Sequence, residues 1–265
     1  AFHKWTHLLY IGTLLVLAAV MVLGFTAYGA ERWLVLGPVR LQPSEFAKVS
    51  IILTLAAYLD KKQDFSRFSS LIGPLLHVAP PMLLIARQPD LGTALVVAAV
   101  TVGMLYFAGA QPKHLLVLVL GGGVAVLLAG YLSLHGYLPI LKPYQVRRLT
   151  VFLDPYSDPT GDGWNVIQSM IAIGSGGFFG KGLFGGSQTQ LNFIPARHTD
   201  FIFSVIGEEF GFLGAALILV LFALLIWRLL RITVLAKDRY GMLIAGGITS
   251  MFRSEERRVG KECRS

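Results

Sequence analysis

A carboxylate at the boundary between a polar and an apolar segment is the residue best placed to do chemistry. Asp200 closes the motif Arg197-His198-Thr199-Asp200 and directly precedes a long apolar run that begins at Phe201. At such a boundary a carboxylate contacts water on one side and an apolar environment on the other, so it can take a proton as a general base. The alternative is an N-cap for the helix beginning at Phe201, where Asp is favoured. The two roles are compatible.

Glu45 and Lys48 form a second candidate group, at the start of another apolar run. They lie three residues apart, so in a helix they share one face, and Pro43 just before them is a helix-start signal. Within the membrane the pair would line a polar cavity with Lys48 available to an anionic group, since intramembrane charges usually mark functional sites. In the alternative, Glu45 favours the helix start and Lys48 extends its charged end to the membrane surface.

A short polar turn follows the third apolar run. Its sequence is Arg87-Gln88-Pro89-Asp90, and Pro89 disfavours continuation of a helix from Gln88. Asp90 is predicted to cap the next helix, which favours a structural role for the turn. The alternative is that Gln88 and Asp90 contact a substrate, and Arg87 is a candidate contact for an anionic headgroup.

Further basic side chains lie between the fifth and sixth apolar runs. A guanidinium binds phosphate through two parallel hydrogen bonds, so these residues are candidate substrate contacts; for the two adjacent arginines an anchor among lipid headgroups is an equal alternative. The glycine-rich stretch 174–186 lacks the spacing of a nucleotide-binding loop and predicts a flexible surface loop, in which Lys181 is a candidate anion contact. The other basic candidates are Arg147, Arg148, Arg197 and His198.

Two groups of acids complete the set of candidate residues. Asp154, Asp158 and Asp162 are spaced by four among prolines and glycines. Three acids suggest a divalent cation, but the spacing does not match a helix-loop-helix calcium loop, and turn formation is the favoured interpretation. Glu208 and Glu209 lie within the sixth apolar run, where an acid facing lipid would cost about 2.5–3.5 kcal/mol. They are therefore predicted to bond inside a helix bundle.

Composition places these residues in a membrane protein. Of the 265 residues, 54 % are hydrophobic and only 14 % are charged, whereas soluble domains carry about a quarter charged residues. The formal charge of +8 is attributed to positive loops on the cytoplasmic side and not to nucleic-acid binding. The single cysteine, Cys263, allows no disulfide within the chain.

Six apolar runs, and the start of a seventh, predict an all-α polytopic transmembrane helix bundle. When the short basic links are placed in the cytoplasm by the positive-inside rule, the opposite face carries residues 26–44, the turn at 87–90 and a large extracytoplasmic loop, 138–200. Asp200 is then at the extracytoplasmic surface. The runs cover residues 5–25, 45–59, 71–86, 91–108, 115–134 and 201–227, and the seventh starts at 240.

The charged tail, residues 253–265, does not fit this pattern. It follows directly on an apolar run that is too short to span a membrane. Two interpretations remain open, an ordinary cytosolic tail and a non-native end of the sequence, and the second is favoured.

Four segments resemble a known family. They read "LGPVRLQPSEFAK" (36–48), "RQPDLGTA" (87–94), "LDPYSDPTGDGWNVIQSMIAIGSGGFFGKG" (153–182) and "QLNFIPARHTDFIFSVIGEEFG" (190–211). They are similar to the SEDS proteins, polytopic membrane peptidoglycan glycosyltransferases that include RodA, FtsW and SpoVE, and are closest to the RodA branch. The resemblance assigns residues 1–252 to a partial SEDS transmembrane domain. It implies that the first two spans, most of the ninth and the tenth of the family's ten spans lie outside these residues.

The resemblance also implies an activity and a setting. Asp200 matches the essential aspartate of a family that polymerises lipid II into glycan strands, while Lys48, Arg197 and a divalent cation (Mg²⁺ or Mn²⁺) would offset the diphosphate charge. The implied partner is a class B penicillin-binding protein, and the implied location is the bacterial inner membrane with the active face extracytoplasmic. The alternatives are an FtsW-like role at the septum, a flippase for the lipid-linked precursor, and a scaffold without catalysis.

Overall fold

The computed structural model describes most of the chain as two compact units. The described residues are 5–23, 25–27, 30–36, 39–62, 64–88, 90–134, 151, 154–159, 161–186 and 201–262. Unit 1 comprises residues 1–119 and 226–255, and unit 2 comprises residues 120–225 and 256–265.

The described residues form eight α-helices. Seven begin within three residues of a predicted apolar run, and one, Asp162–Ser175, lies in the predicted loop. The helix Ile202–Leu235 ends eight residues beyond its predicted run, and Arg239–Glu262 continues through most of the charged tail. Three stretches are long and apolar enough to cross a membrane: Phe68–Arg87, Pro112–Ser133 and Ile202–Leu235. This chain is therefore a membrane protein. The helices are α1 (Thr6–Leu23), α2 (Pro43–Lys61), α3 (Ile72–Arg87), α4 (Leu91–Phe107), α5 (Pro112–Leu134), α6 (Asp162–Ser175), α7 (Ile202–Leu235) and α8 (Arg239–Glu262).

A small antiparallel sheet occupies the link between α1 and α2. Its strands are β1 (Phe25–Ala27), β2 (Ala30–Leu36) and β3 (Val39–Leu41), in the order β1-β2-β3. These strands were not predicted, since residues 26–44 were assigned only to the extracytoplasmic face. The signal was present, because a run rich in Trp, Val and Leu lies between Gly29 and Gly37-Pro38, which is the pattern of a short strand between turns.

The core of unit 1 is apolar and close-packed. Glycines allow α8 to approach its neighbours: Gly246 lies against Phe107 of α4, and Gly247 lies against Met104. Small residues at helix interfaces bring membrane helices close enough for van der Waals contact, which drives their association in lipid. Fully buried core residues include Leu17, Ile51, Leu55, Leu59, Ile85, Met104 and Leu243.

Helix α3 continues through Pro80 and Pro81, although proline has no N–H to donate to the carbonyl four residues earlier. Pro81 thereby frees the carbonyl of His77 from its helical partner. The hydroxyl of Tyr10 on α1 donates to that carbonyl at 2.7 Å. A side chain from the neighbouring helix thus satisfies the released group, as a membrane interior requires.

Arg239, the first residue of α8, joins three helix ends in unit 1. Its Nη2 donates to the carbonyl of Lys62 at 3.2 Å and to that of Ala108 at 3.3 Å. These two residues are the C-caps of α2 and α4. A cation at a helix C-terminus is stabilised by the helix dipole, so this guanidinium fixes one end of the unit.

Candidate functional site

The predicted site residues divide into those that the structure describes and those that it does not. Glu45, Lys48, Gln88 and Asp90 lie in unit 1, and Lys181 lies in unit 2. The predictions for the others stay predictions, because these residues lie outside the described ones: Asp200, Arg197, His198, Arg147 and Arg148.

Asp90 is the centre of a buried polar cluster in unit 1. It is the N-cap of α4, as predicted, and accepts from the Thr93 backbone N–H at 3.2 Å and from the Thr93 hydroxyl at 2.8 Å. From the start of α2, the Gln42 amide donates to Asp90 at 3.0 Å and the Ser44 hydroxyl at 3.2 Å. Four donors therefore converge on one carboxylate, and they tie the start of α2 to the start of α4.

Lys48 is a buried cation on α2. Its Nζ lies 2.8 Å from Oε2 of Glu45, and the side chains are 6 % and 50 % exposed, respectively. Lys48 is four residues after Ser44, so both occupy one face of the helix, the face on which Ser44 contacts Asp90. Burial of an ammonium group is costly unless other groups compensate its charge. Glu45 supplies part of this compensation while keeping half of its own surface exposed.

Gln88 connects α3 to α1. Its amide, in a side chain that is 3 % exposed, donates to the carbonyl of Leu17 at 2.7 Å. Together with Asp90, this contact supports the structural interpretation of the turn. A direct contact of Gln88 or Asp90 with substrate stays a prediction.

Replacement of Asp90 by Ala tests the structural interpretation. The change leaves the donors of Gln42, Ser44 and Thr93 without their acceptor, and each buried unpaired group costs roughly 1–3 kcal/mol. We expect a loss of about 2–4 kcal/mol in stability, seen as a lower thermal midpoint of the purified protein.

The graded control is Ser44→Ala, which removes one of the four donors and should cost about 1 kcal/mol. A thermal midpoint that is unchanged in Asp90→Ala, with a raised KM for substrate, would instead assign Asp90 to binding.

In unit 2, α7 is interrupted at Gly211, where φ is 65° and ψ is −159°. Such a break leaves backbone groups without helical partners. Residues 176–186, here called the strap, provide these partners through four backbone hydrogen bonds. They run from Lys181 N to Glu208 O (3.0 Å), Gly182 N to Glu209 O (3.0 Å), Phe212 N to Gly177 O (2.9 Å) and Leu213 N to Phe178 O (3.3 Å).

An ion pair lies beside this backbone pairing. The Lys181 ammonium is 2.9 Å from Oε1 of Glu208, which is fully buried, and it donates to the Ser175 hydroxyl at 2.8 Å. The hydroxyls of Ser169 on α6 and Ser204 on α7 are 2.6 Å apart. The prediction that Glu208 bonds inside the protein is confirmed. The structure gives Lys181 a protein partner, so its contact with substrate stays a prediction.

The glycine-rich strap lies mostly at the surface, and its backbone is paired closely with α7. Gly180 has φ of 80°, and a Cβ at this position would meet the carbonyl of Glu209. Gly180→Ala therefore combines a left-handed backbone with overlap, and we expect a loss of roughly 1–3 kcal/mol in stability. Thermal unfolding of the purified protein measures it.

Gly174→Ala is the matched control for Gly180. A Cβ at Gly174 meets no atom within 4 Å, and Ala is favoured over Gly in a helix. Its thermal midpoint should be equal to the wild-type value or slightly higher. Equal midpoints for the two variants would contradict the close approach of strap and helix.

Of the three acids that suggested a cation, Asp154 and Asp158 lie in the predicted turns, whereas Asp162 is the first residue of α6. Oδ1 of Asp154 accepts from the Tyr156 N–H at 3.0 Å and caps a short 3-10 helix. In the described part of the chain, no three His, Cys, Asp or Glu side chains come together in a way that could hold a metal ion. The divalent cation stays a prediction.

Known proteins share both the sequence and the fold. The family model named for FtsW, RodA and SpoVE, described as "Cell cycle protein", matches residues 1–256. The probable peptidoglycan glycosyltransferase FtsW of Trichlorobacter lovleyi is 44 % identical over 246 residues, which are 91 % of this chain and 61 % of that protein. The peptidoglycan glycosyltransferase MrdB of Escherichia coli K12 is 40 % identical over 247 residues, 93 % of this chain and 65 % of that protein. The chain thus spans just under two thirds of the length of these relatives.

Solved structures agree with these relatives. A chain from work on polymerization and crosslinking by a peptidoglycan synthase complex matches with a TM-score of 0.78 and 36 % identity, over 98 % of this chain and 71 % of that one. Rod shape determining protein RodA of Thermus thermophilus matches with a TM-score of 0.61 and 30 % identity, over 94 % of this chain and 63 % of that one. The predicted polytopic helical fold is confirmed, and this chain belongs to the FtsW/RodA/SpoVE family.

Proposed function

We propose that the protein is a peptidoglycan glycosyltransferase that polymerises lipid II into glycan strands during cell elongation, in the manner of RodA. Support comes from relatives that carry this activity in their names and from one structural observation. That observation is the Lys48 ammonium, which is buried in a membrane bundle beside a cluster of hydrogen-bonded polar groups. A buried cation of this kind usually marks a functional site in a membrane protein.

The reaction joins two lipid-linked sugars. The 4-hydroxyl of an acceptor GlcNAc attacks the anomeric carbon of a donor MurNAc. A carbon–oxygen bond forms there, and the bond to undecaprenyl diphosphate breaks. Asp200 takes the proton of the attacking hydroxyl, because a neutral sugar hydroxyl is a weak nucleophile.

Cationic side chains stabilise the diphosphate leaving group. The departing diphosphate carries away the bonding electrons, so negative charge increases on its oxygens as the bond breaks. Positive groups aimed at that charge stabilise the transition state more than the ground state. We assign this role to Lys48 and Arg197, and Glu45 keeps the Lys48 ammonium oriented through their 2.8 Å contact.

The same proposal gives the protein a cellular location and a partner. The protein lies in the bacterial inner membrane as a multi-pass protein, with its active face on the extracytoplasmic side where glycan strands grow. Its partner is a class B penicillin-binding protein, which crosslinks the strands. A solved relative comes from a synthase complex that coordinates polymerization with crosslinking.

The test uses the full-length protein in vesicles that contain fluorescent lipid II, with and without the class B penicillin-binding protein. Glycan strands on a gel are the expected product. Lys48→Met should reduce strand synthesis strongly, whereas Lys113→Met, which removes an exposed lysine, should leave it within about twofold. Because Met keeps the length of the side chain, the comparison isolates the charge.

The test also separates the alternatives. A flippase would move lipid II between leaflets without forming strands, and a scaffold would do neither; either result contradicts the proposal. An FtsW-like role in division is the nearest alternative, since an FtsW relative has 44 % identity. Depletion in cells distinguishes the two, because loss of an elongation enzyme gives round cells and loss of a division enzyme gives filaments.

A further inference from the structure

A concave basic site lies where α7 ends and the chain turns toward α8, entirely within unit 1. Its volume is about 590 Å³. Cationic and apolar side chains share this one concavity, a combination that suits an amphiphile better than a soluble anion. The lining residues are Arg228, Arg231, Ile232, Leu235, Ala236 and Lys237.

The cations of this site carry uncompensated charge. Arg228 and Arg231 are three residues apart and share a helix face; their guanidinium carbons lie 5.7 Å and 5.9 Å from the ring centre of Trp227. Neither they nor Lys237 form an ion pair or hydrogen bond with another described residue. The adjacent acid, Asp238, accepts from the Gly241 N–H at 2.8 Å and so caps α8.

The site lies at the end of a membrane span. Ile202–Leu235 is long and apolar enough to cross the bilayer, and Trp227 near its end is 53 % exposed. Tryptophan at this position is typical of the headgroup level, and basic residues at the end of a span indicate the cytoplasmic side. The cytoplasmic leaflet is rich in anionic lipids, which attract such residues.

We propose that this site binds the headgroup of an anionic phospholipid of the cytoplasmic leaflet. Arg228 and Arg231 donate to phosphate oxygens, where a guanidinium can form two parallel hydrogen bonds, and Lys237 adds a third charge. Ile232 and Leu235 contact the first methylenes of the acyl chains. Three cations in one site favour a lipid with two phosphates, diphosphatidylglycerol, over one with a single phosphate.

Native mass spectrometry of the full-length protein, released from phosphatidylcholine nanodiscs doped with diphosphatidylglycerol or phosphatidylglycerol, tests the proposal. The wild type should retain diphosphatidylglycerol in preference to both other lipids. Each basic residue near an anionic surface contributes roughly fivefold to binding. The double variant Arg228→Gln/Arg231→Gln should therefore bind roughly 25-fold less of it.

The matched control is Lys61→Gln/Lys113→Gln, which removes two exposed cations from links that the positive-inside rule assigns to the same side. It should retain the lipid within about twofold. If the two double variants lost the same amount of bound diphosphatidylglycerol, the binding would depend only on overall positive charge, and the proposal would be overturned. So would a wild type without preference for diphosphatidylglycerol, a result that needs no variant to fold. Lipid retention is measured without any polymerase activity, so this test can fail or succeed independently of the proposed function.

Discussion

Replacement of Asp200 by Asn is expected to lower the rate of lipid II polymerisation by about 10²–10⁴-fold, the usual contribution of a general base. Asn cannot accept the proton of the attacking hydroxyl. It is, however, as good an N-cap as Asp, so the change leaves the predicted capping role intact. The variant therefore separates the two roles assigned to this residue. The initial rate of strand synthesis and the thermal midpoint are measured together.

The control for Asp200 is Asp154→Asn, an acid in the same predicted loop whose carboxylate caps a 3-10 helix and has no assigned chemistry. Its rate should remain within about twofold of the wild type. If the Asp200 variant folds normally and polymerises at the wild-type rate, this aspartate has no part in the mechanism.

The ion pair between Lys181 and Glu208 is expected to give the second large effect. Lys181→Met removes the ammonium group that pairs with the fully buried Glu208 carboxylate. Removal of one member of a buried pair typically costs about 3–5 kcal/mol, and the 30 % exposure of Lys181 places the expected loss near the lower end. The thermal midpoint of the purified protein reports the change.

A double-mutant cycle gives this prediction its control. Lys181→Met/Glu208→Met replaces both charges by apolar groups, and such replacements are often neutral or stabilising. The double variant should therefore recover most of the stability lost in the single one. Additive losses would mean that the two side chains do not depend on each other, and the assigned pairing would be wrong.

The apolar runs could be predicted from sequence because lipid imposes a simple requirement, about 20 apolar residues per helical span. The helix cap at Asp90 could also be predicted from the sequence. A carboxylate after proline and before an apolar run is a recognisable cap, and the structure confirms it. Its links to Gln42 and Ser44 join residues more than 40 positions apart, and no local pattern predicts them.

The strap shows why other features were missed. Its glycines were interpreted by composition, which indicates freedom of the backbone but not what the backbone contacts. The break at Gly211 lies within a run that was predicted as one span, and periodicity gave no sign of it. Only the pairing of this break with residues 177–182 explains both segments. A glycine within an apolar span, preceded by a glycine-rich segment, is the one signal that was available.

The main-chain nature of this pairing limits how the segment can change during evolution. Apart from the Lys181–Glu208 ion pair, the four hydrogen bonds between the strap and α7 join backbone atoms. Most other side chains there can therefore be exchanged without loss of a bond; Phe179 and Phe184, 78 % and 79 % exposed, are examples. A change in length is different. Loss or gain of one residue between Phe178 and Lys181 would shift the two bonds made by residues 181 and 182 relative to the two made by residues 177 and 178, so both pairs could not form together. Homologues are therefore expected to vary here by substitution and to conserve spacing.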